Sequence, residues 1–268
     1  YSTMSDTAAL TVTAVNDAPA DLSLSASTVA ENAANGTVVG TISGTDPDSG
    51  DTKAYSLTDT AGGRFAINSS TGVLTVANGA LLNYESATSH NVTARVTDSG
   101  GLTYDEIFTI NLTNVNEAPT GTDATITVTE DTARTLTTAD FGFSDVDAGE
   151  SLSAVRIDTV PGAGTLTLSG VSVTAGQVVT AADISAGNLL FTPAANATGA
   201  GYATVTFSVR DSANAYDSAP NTLTINVTAV NDAPISTGGS ATGVEDTPLV
   251  LTWGQFNVSD VDSAMTAN

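Results

Sequence analysis

Apolar and polar residues alternate with period two along most of the chain, with threonine often on the polar side. Runs such as Ala9-Leu10-Thr11-Val12-Thr13, Ile110-Asn111-Leu112-Thr113 and Leu223-Thr224-Ile225-Asn226-Val227-Thr228 predict β-strands. Threonine and the β-branched apolar residues favour that conformation, and no long stretch carries a helical period. Further strands are predicted near Leu22–Leu24, Val38–Ile42, Ala54–Leu57, Phe65–Ile67, Val73–Val76, Val92–Val96 and Glu106–Leu112. Ser69-Ser70-Thr71-Gly72 is a turn cluster that predicts a hairpin. The same plan repeats near Ala124–Val128, Thr135–Leu136, Ala154–Ile157, Thr165–Leu168, Asn188–Phe191, Tyr202–Val209 and Thr222–Val227, with a short helical turn within Val178–Ile184. Seven short strands in under 100 residues predict a Greek-key β-sandwich.

A five-residue mark punctuates this pattern. Val15-Asn16-Asp17-Ala18-Pro19, Val115-Asn116-Glu117-Ala118-Pro119 and Val230-Asn231-Asp232-Ala233-Pro234 follow strand-like runs, their asparagines 100 and 115 residues apart. A mark recurring at a domain-sized interval signals a tandem array. Its proline fixes φ and keeps the preceding residue out of the helical region, so the chain leaves each strand extended. The predicted division is 1–19, a closing strand of a preceding repeat plus linker; 20–119 and 120–234, each a sandwich plus linker; and 235–268, the incomplete start of a further repeat. The 34 residues after Pro234 are too few to bury a sandwich core. The fold class expected is all-β: tandem immunoglobulin-like Greek-key sandwiches in an elongated array. The sequence reads as an excerpt of something longer.

With 41% hydrophobic but only 5% aromatic residues, the cores must rely on Val, Leu, Ile and Ala. Charge narrows the function further. Twenty-nine acidic residues stand against six basic ones, a net charge of −23. Phosphate binding is driven by Lys and Arg, which argues against nucleic acid. Direct contact with an anionic membrane surface is disfavoured on the same ground. Bound cations are favoured, because unneutralised carboxylates repel one another. The absence of cysteine excludes disulfides and Cys-ligated zinc. No apolar run approaches the ~20 residues of a membrane-spanning helix.

The acids are in phase with the linkers. Asp-x-Asp occurs about 30 residues after each mark, as Asp46-Pro47-Asp48, Asp145-Val146-Asp147 and Asp260-Val261-Asp262. On an extended backbone, residues two apart face the same way, so both carboxylates can meet one ion. Glu31, Glu130 and Glu245 each precede the predicted second strand of their unit. Asp98 and Asp211 each close a later strand. Calcium needs six to eight oxygen ligands, which such groups supply.

These residues carry a family resemblance. Glu31-Asn32, Asp46-Pro47-Asp48, Asn83-Tyr84-Glu85, Asp98 with Gly100, and Asn114 to Pro119 make the first unit resemble a cadherin domain. Glu130-Asp131-Thr132, Asp145-Val146-Asp147, Phe191 to Asn196 and Val230 to Pro234 make the second similar to the cadherin-like tandem repeats of large bacterial surface adhesins. Residues 235–268 resemble the start of another. The resemblance implies calcium (Ca2+) between successive domains. It implies that Glu31 and Glu85 join Asn116, Glu117, Asp145, Asp147 and Asp211. By the same logic Asn16 and Asp17 meet Asp46, Asp48 and Asp98, and Glu130, Asn231 and Asp232 meet Asp260 and Asp262. The sequence also departs from the family pattern. Ala14 and Ala229 replace the linker's first aspartate, Asn114 stands for it at the central linker, and the second unit lacks the counterpart of Asn83-Tyr84-Glu85. Fewer ions per linker are expected than in a full cadherin set.

Other chemistry finds little support. Asp48-Ser49-Gly50 and Asp98-Ser99-Gly100 match a short aspartic-protease string, but both fit the calcium pattern and lie in turn-like sequence. His90 is the only histidine, expected in a turn, and no Gly-x-Ser-x-Gly string accompanies it. Asp46 to Leu57 fails as an EF-hand at its fifth and twelfth positions. Trp253 reads as a core aromatic of the incomplete repeat. The chain is therefore expected to be a non-enzymatic, calcium-rigidified extender of a long extracellular, secreted or cell-surface adhesin. Its partners would be neighbouring repeats of the same chain. The alternative is a recognition module for a glycan, a host surface or a protein, or a calcium-dependent homophilic adhesion module.

Overall fold

The structure is a computed structural model that describes residues 9–13 and 15–262. The chain divides into two compact units, 1–115 and 116–268. In the first unit eight strands form two four-stranded sheets. One sheet has the order β1 (Asp21–Leu24), β3 (Val38–Thr45), β6 (Val73–Val76), β5 (Phe65–Ile67). The other has β2 (Thr28–Ala30), β8 (Thr103–Thr113), β7 (Ser89–Thr97), β4 (Ala54–Asp59). Connections repeatedly cross between the sheets, which makes this a sandwich. The alternation does what it predicts: along β7, Val92, Ala94 and Val96 are fully buried, and the residues between them are not. Phe65, Leu74, Leu82 and Ile110 fill the space between the sheets. The turn 68–72 closes the β5–β6 hairpin, with the Asn68 side chain accepting from the backbone N–H of Ser70 and Thr71, each at 3.0 Å.

The second unit pairs a four-stranded sheet with a five-stranded one. The first has the order β10 (Arg134–Thr135), β15 (Leu189–Thr192), β12 (Thr165–Leu168), β13 (Val171–Ser172). The second has β14 (Gln177–Thr180), β11 (Ala154–Thr159), β16 (Gly199–Arg210), β17 (Asn221–Thr228), β9 (Ala124–Thr129). One short helix, α1 (Ala181–Ser185), is capped by Thr180 Oγ1, which accepts from the Asp183 N–H. Three of the chain's few phenylalanines anchor this core: Phe141, Phe191 and Phe207 are fully buried, and the rings of Phe141 and Phe207 meet edge to face at 5.0 Å. Beyond the third linker, β18 (Ile235–Ser236) pairs with β19 (Val258–Ser259). No helix among the described residues is long and apolar enough to cross a membrane.

Several expectations need correction. Residues 9–13 form no strand, and Leu10 and Val12 are 90% and 83% exposed. Alternation makes a strand only where a neighbouring strand takes up its backbone groups, and among the described residues none pairs with these. The rest of that predicted strand, 1–8 and Ala14, lies outside the described residues, as do 263–268 and the side chain of Trp253. His90 lies in β7, opposite Ile110, and not in a turn. Glu31 follows the second strand of its unit because the three-residue β2, too short to show a period, comes before it.

Candidate metal centres

Pairing direction puts the glutamates beside the linkers. β2 runs parallel to β8, and β9 runs parallel to β17. Parallel neighbours end at the same edge, so the residue after the first strand lies beside the chain leaving the last. The Glu31 N–H donates to Thr113 O and that of Glu130 to Thr228 O, which continues each ladder by one bond. Glu31 is 1% exposed, and its two carboxylate oxygens accept the N–H of Tyr84 at 2.7 Å and of Val115 at 2.9 Å. Glu130, 3% exposed, likewise accepts from Val230 at 2.8 Å. Glu85 is exposed, one residue beyond the Tyr84 that Glu31 holds.

The Asp-x-Asp motif makes one arrangement at all three of its occurrences. In Asp46-Pro47-Asp48 the first carboxylate accepts the backbone N–H of the second aspartate at 2.8 Å; Asp145/Asp147 and Asp260/Asp262 repeat this at 2.9 Å. The motif is thus a bend closed on its own side chain. The carboxylates converge through that turn, and not through the extended alternation expected from the spacing. The second carboxylate then accepts the N–H of the linker acid: Asp48 from Asp17 at 2.7 Å, Asp147 from Glu117 at 2.8 Å, and Asp262 from Asp232 at 2.5 Å. The linker asparagine reaches the acid after the later strand. Asn16 Nδ2 donates to Asp98 Oδ2 and Asn116 Nδ2 to Asp211 Oδ2, each at 2.9 Å. Asn231 instead donates to Asp232 O, a bond Asn116 also makes to Glu117 O.

Some carboxylate oxygens are left over. The Oδ2 atoms of Asp46, Asp145 and Asp232 are buried and have no hydrogen-bond partner among the described residues. An unpaired buried acceptor carries its full desolvation cost, and a buried charge more. Around them the donors are all oxygen. Carboxylate oxygens of Asp46, Asp51 and Asp98 lie within 4.8 Å of one another, and so do those of Glu130, Asp232 and Asp262. Loss of solvation, and then the charges of Asp262, Asp131, Glu130 and Asp260, push the Asp232 carboxyl above its ordinary range. Such a donor set fits a hard cation of calcium's kind.

Sequence reasoning missed two members of these faces. Asp51 joins Asp46 and Asp98, and the Ser99 hydroxyl foremost, with neighbouring backbone N–H groups and Lys53, holds its carboxyl below the ordinary range. Its counterpart Glu150 accepts from the Ala213 N–H at 3.1 Å and from the Ser212 hydroxyl. Each stands five residues after the first aspartate of its turn, a spacing that was available in the sequence.

Residues 25–129 match the sequence model of the cadherin domain. The fold is cadherin-like. Protocadherin γB2 extracellular cadherin domains 1–5 align at a TM-score of 0.52 with 19% identity, covering 81% of this chain and 42% of that one. Human protocadherin-24 EC1–2 aligns at 0.53 with 18% identity, covering 79% and 98%. The protocadherin γB7 EC3–6 cis-dimer structure aligns at 0.52 with 21% identity, covering 84% and 54%. The chain therefore spans about half or less of two of these three. Comparison with curated protein sequences gives no match.

Proposed function

We propose that the chain is a calcium-stiffened structural segment of a long extracellular, adhesion-type protein, of the kind found in large bacterial surface adhesins. The observation that carries this reading is the buried, unpartnered carboxylate oxygen at the equivalent positions Asp46 and Asp145, with another at the linker acid Asp232. In the first unit Asn16, Asp17, Asp46, Asp48, Asp51 and Asp98 would hold the ion. In the second, Asn116, Glu117, Asp145, Asp147 and Asp211 form the equivalent set, and at the third linker Glu130, Asn231, Asp232, Asp260 and Asp262 do so. Glu31 and Glu85 stand at the other end of the first unit. Bound calcium supplies positive charge that the chain lacks, with its net charge of −23. The protein's own groups fix the linker: one backbone-to-carboxylate bond ties each linker acid to its Asp-x-Asp turn, and in the two full units the linker asparagine donates to the strand-closing aspartate. An ion shared among these groups restrains the linker where it enters its receiving domain. An extracellular setting is supported by the solved protocadherin γB2 chain, which consists of extracellular cadherin domains.

The test is a thermal melt in EGTA, in magnesium and across a calcium titration. Calcium at 100 times its dissociation constant stabilises by about 2.7 kcal/mol if it binds only the folded state. Magnesium, which keeps its waters and demands a tight octahedron, has a smaller effect. A melting temperature indifferent to calcium, in protein shown metal-free by elemental analysis, overturns the reading.

A further inference from the structure

The two units hold the strand-closing aspartate by different means. In the first, the β7–β8 ladder runs to its tip, with Thr97 opposite Thr103, and Asp98 stands on a closed ladder. In the second, the β16–β17 ladder stops at Phe207 opposite Asn221. Beyond it only the bridge between Arg210 and Tyr216 joins the two sides among the described residues. The sequence explains the gap: Leu102 leads directly into β8, whereas Tyr216-Asp217-Ser218-Ala219-Pro220 separates Ala215 from β17. Yet the tip loops are alike. Asp98 Oδ1 accepts the Leu102 N–H at 2.8 Å, and Asp211 Oδ1 accepts the Ala215 N–H at 2.7 Å.

The inserted residues replace the missing ladder. The Tyr216 ring lies against two guanidinium groups, Arg156 at 4.9 Å and Arg210 at 5.6 Å from its centroid, an arrangement the ring's negative face favours. Both cations are themselves fixed. Arg156 donates to Asp158 and to Ser208 Oγ, and Arg210 Nε donates to Ser153 Oγ, whose hydroxyl reaches Asp211 O. Asp217, 8% exposed, turns the other way. It accepts the Gly121 N–H at 2.6 Å, just past the linker proline, and is held by Asn221 Nδ2 at 2.8 Å. The approach at Gly121 is close: a Cβ there would sit 2.4 Å from Asn221 Nδ2.

We propose that Tyr216 and Asp217 are positioning residues, which set Asp211 and the linker exit in place before any cation arrives. Tyr216 does so by packing against Arg156 and Arg210, and Asp217 by fastening the Gly121 backbone. The consequence for affinity rests on the calcium reading above; the positioning itself does not.

The test uses the whole chain in EGTA, with amide exchange read at Ala215 and Gly121, followed by calcium titration. Tyr216→Ala speeds Ala215 exchange and weakens calcium binding, each roughly tenfold, while Tyr216→Phe, which keeps the ring, behaves as the parent. Asp217→Ala exposes Gly121 to exchange. Amides of Val155 and Val205 in the core strands keep their protection in all three. Unchanged Ala215 exchange in Tyr216→Ala overturns the proposal. So does a Tyr216→Phe variant as impaired as the alanine, or protection lost throughout the unit. If the parent chain ignores calcium, the calcium reading fails, and the exchange rates still decide the positioning.

Discussion

Asp145→Asn separates a cation ligand from a turn-former. Asp145 Oδ1 accepts the Asp147 N–H at 2.9 Å, and Oδ2 is buried without a partner. Asparagine keeps the first acceptor and replaces the second oxygen with an amide nitrogen, so no hydrogen bond is lost. One negative charge also leaves a face that carries Glu117, Asp147 and Asp211. In EGTA the variant should therefore melt with the parent or slightly above it. With calcium the outcome diverges. At 100 times the parent's dissociation constant calcium contributes about 2.7 kcal/mol, and a site weakened ~10-fold retains about 1.4 kcal/mol at the same concentration. One kcal/mol moves the midpoint of a unit this size by ~3–6 °C, so the calcium-induced rise falls by about 4–8 °C. Differential scanning calorimetry with and without calcium reads this, with the second unit's transition identified by a Phe141→Ala variant that removes its buried ring. An unchanged calcium shift refutes Asp145 as a ligand. An equal loss in EGTA and in calcium refutes the claim that its turn survives the substitution.

Glu31→Gln probes a glutamate with two structural bonds. Glutamine offers one acceptor to the two backbone N–H groups of Tyr84 and Val115, and leaving one unsatisfied costs about 1–3 kcal/mol, seen as an earlier urea midpoint for the first unit in EGTA. Asp232 gives the acid response. Its carboxyl is raised in the folded state by lost solvation and by the charges of Asp262, Asp131, Glu130 and Asp260. Its contribution to stability is thus fully present below the ordinary carboxylate range and lost as pH rises through its folded value. Calcium competes with that proton, so affinity at the third linker should begin to fall on acidification above the ordinary carboxylate range. Site-resolved NMR titration of Asp232 with and without calcium checks this, and a carboxyl that titrates in the ordinary range refutes it.

Strand content was legible wherever one face is buried. The alternation of β7 predicted Val92, Ala94 and Val96 as its inward set, and they are fully buried. Residues 9–13 carry the same alternation without a partner strand and form none. Period is a property of the segment, whereas pairing is a property of the fold. The three-residue β2 shows the converse, having no period to read but a parallel neighbour in β8. That pairing sets Glu31 beside the linker, so the residue was legible and its reason was not. Tyr216 and Asp217 were invisible as functional residues for a related cause: their role follows from where a ladder stops.

The third linker separates local from global determinants. Leu136 and Phe141 are fully buried in the second unit, while Leu251 and Phe256, 115 residues on, are 47% and 45% exposed. In the second unit the covering residues come from strands far along the chain, such as Phe207 against Phe141. Yet Asp260 and Asp262 close the same turn as Asp145 and Asp147, and the Asp232 N–H reaches Asp262 as that of Glu117 reaches Asp147. The turn and its bond to the linker are thus built from residues about 30 positions apart. This explains why the in-phase acids could be matched to their linkers from sequence alone. Asp211, supplied by a distant strand, is the proposed ligand in the second unit whose placement depends on the finished fold, and it is the one that we propose Tyr216 and its two arginines brace.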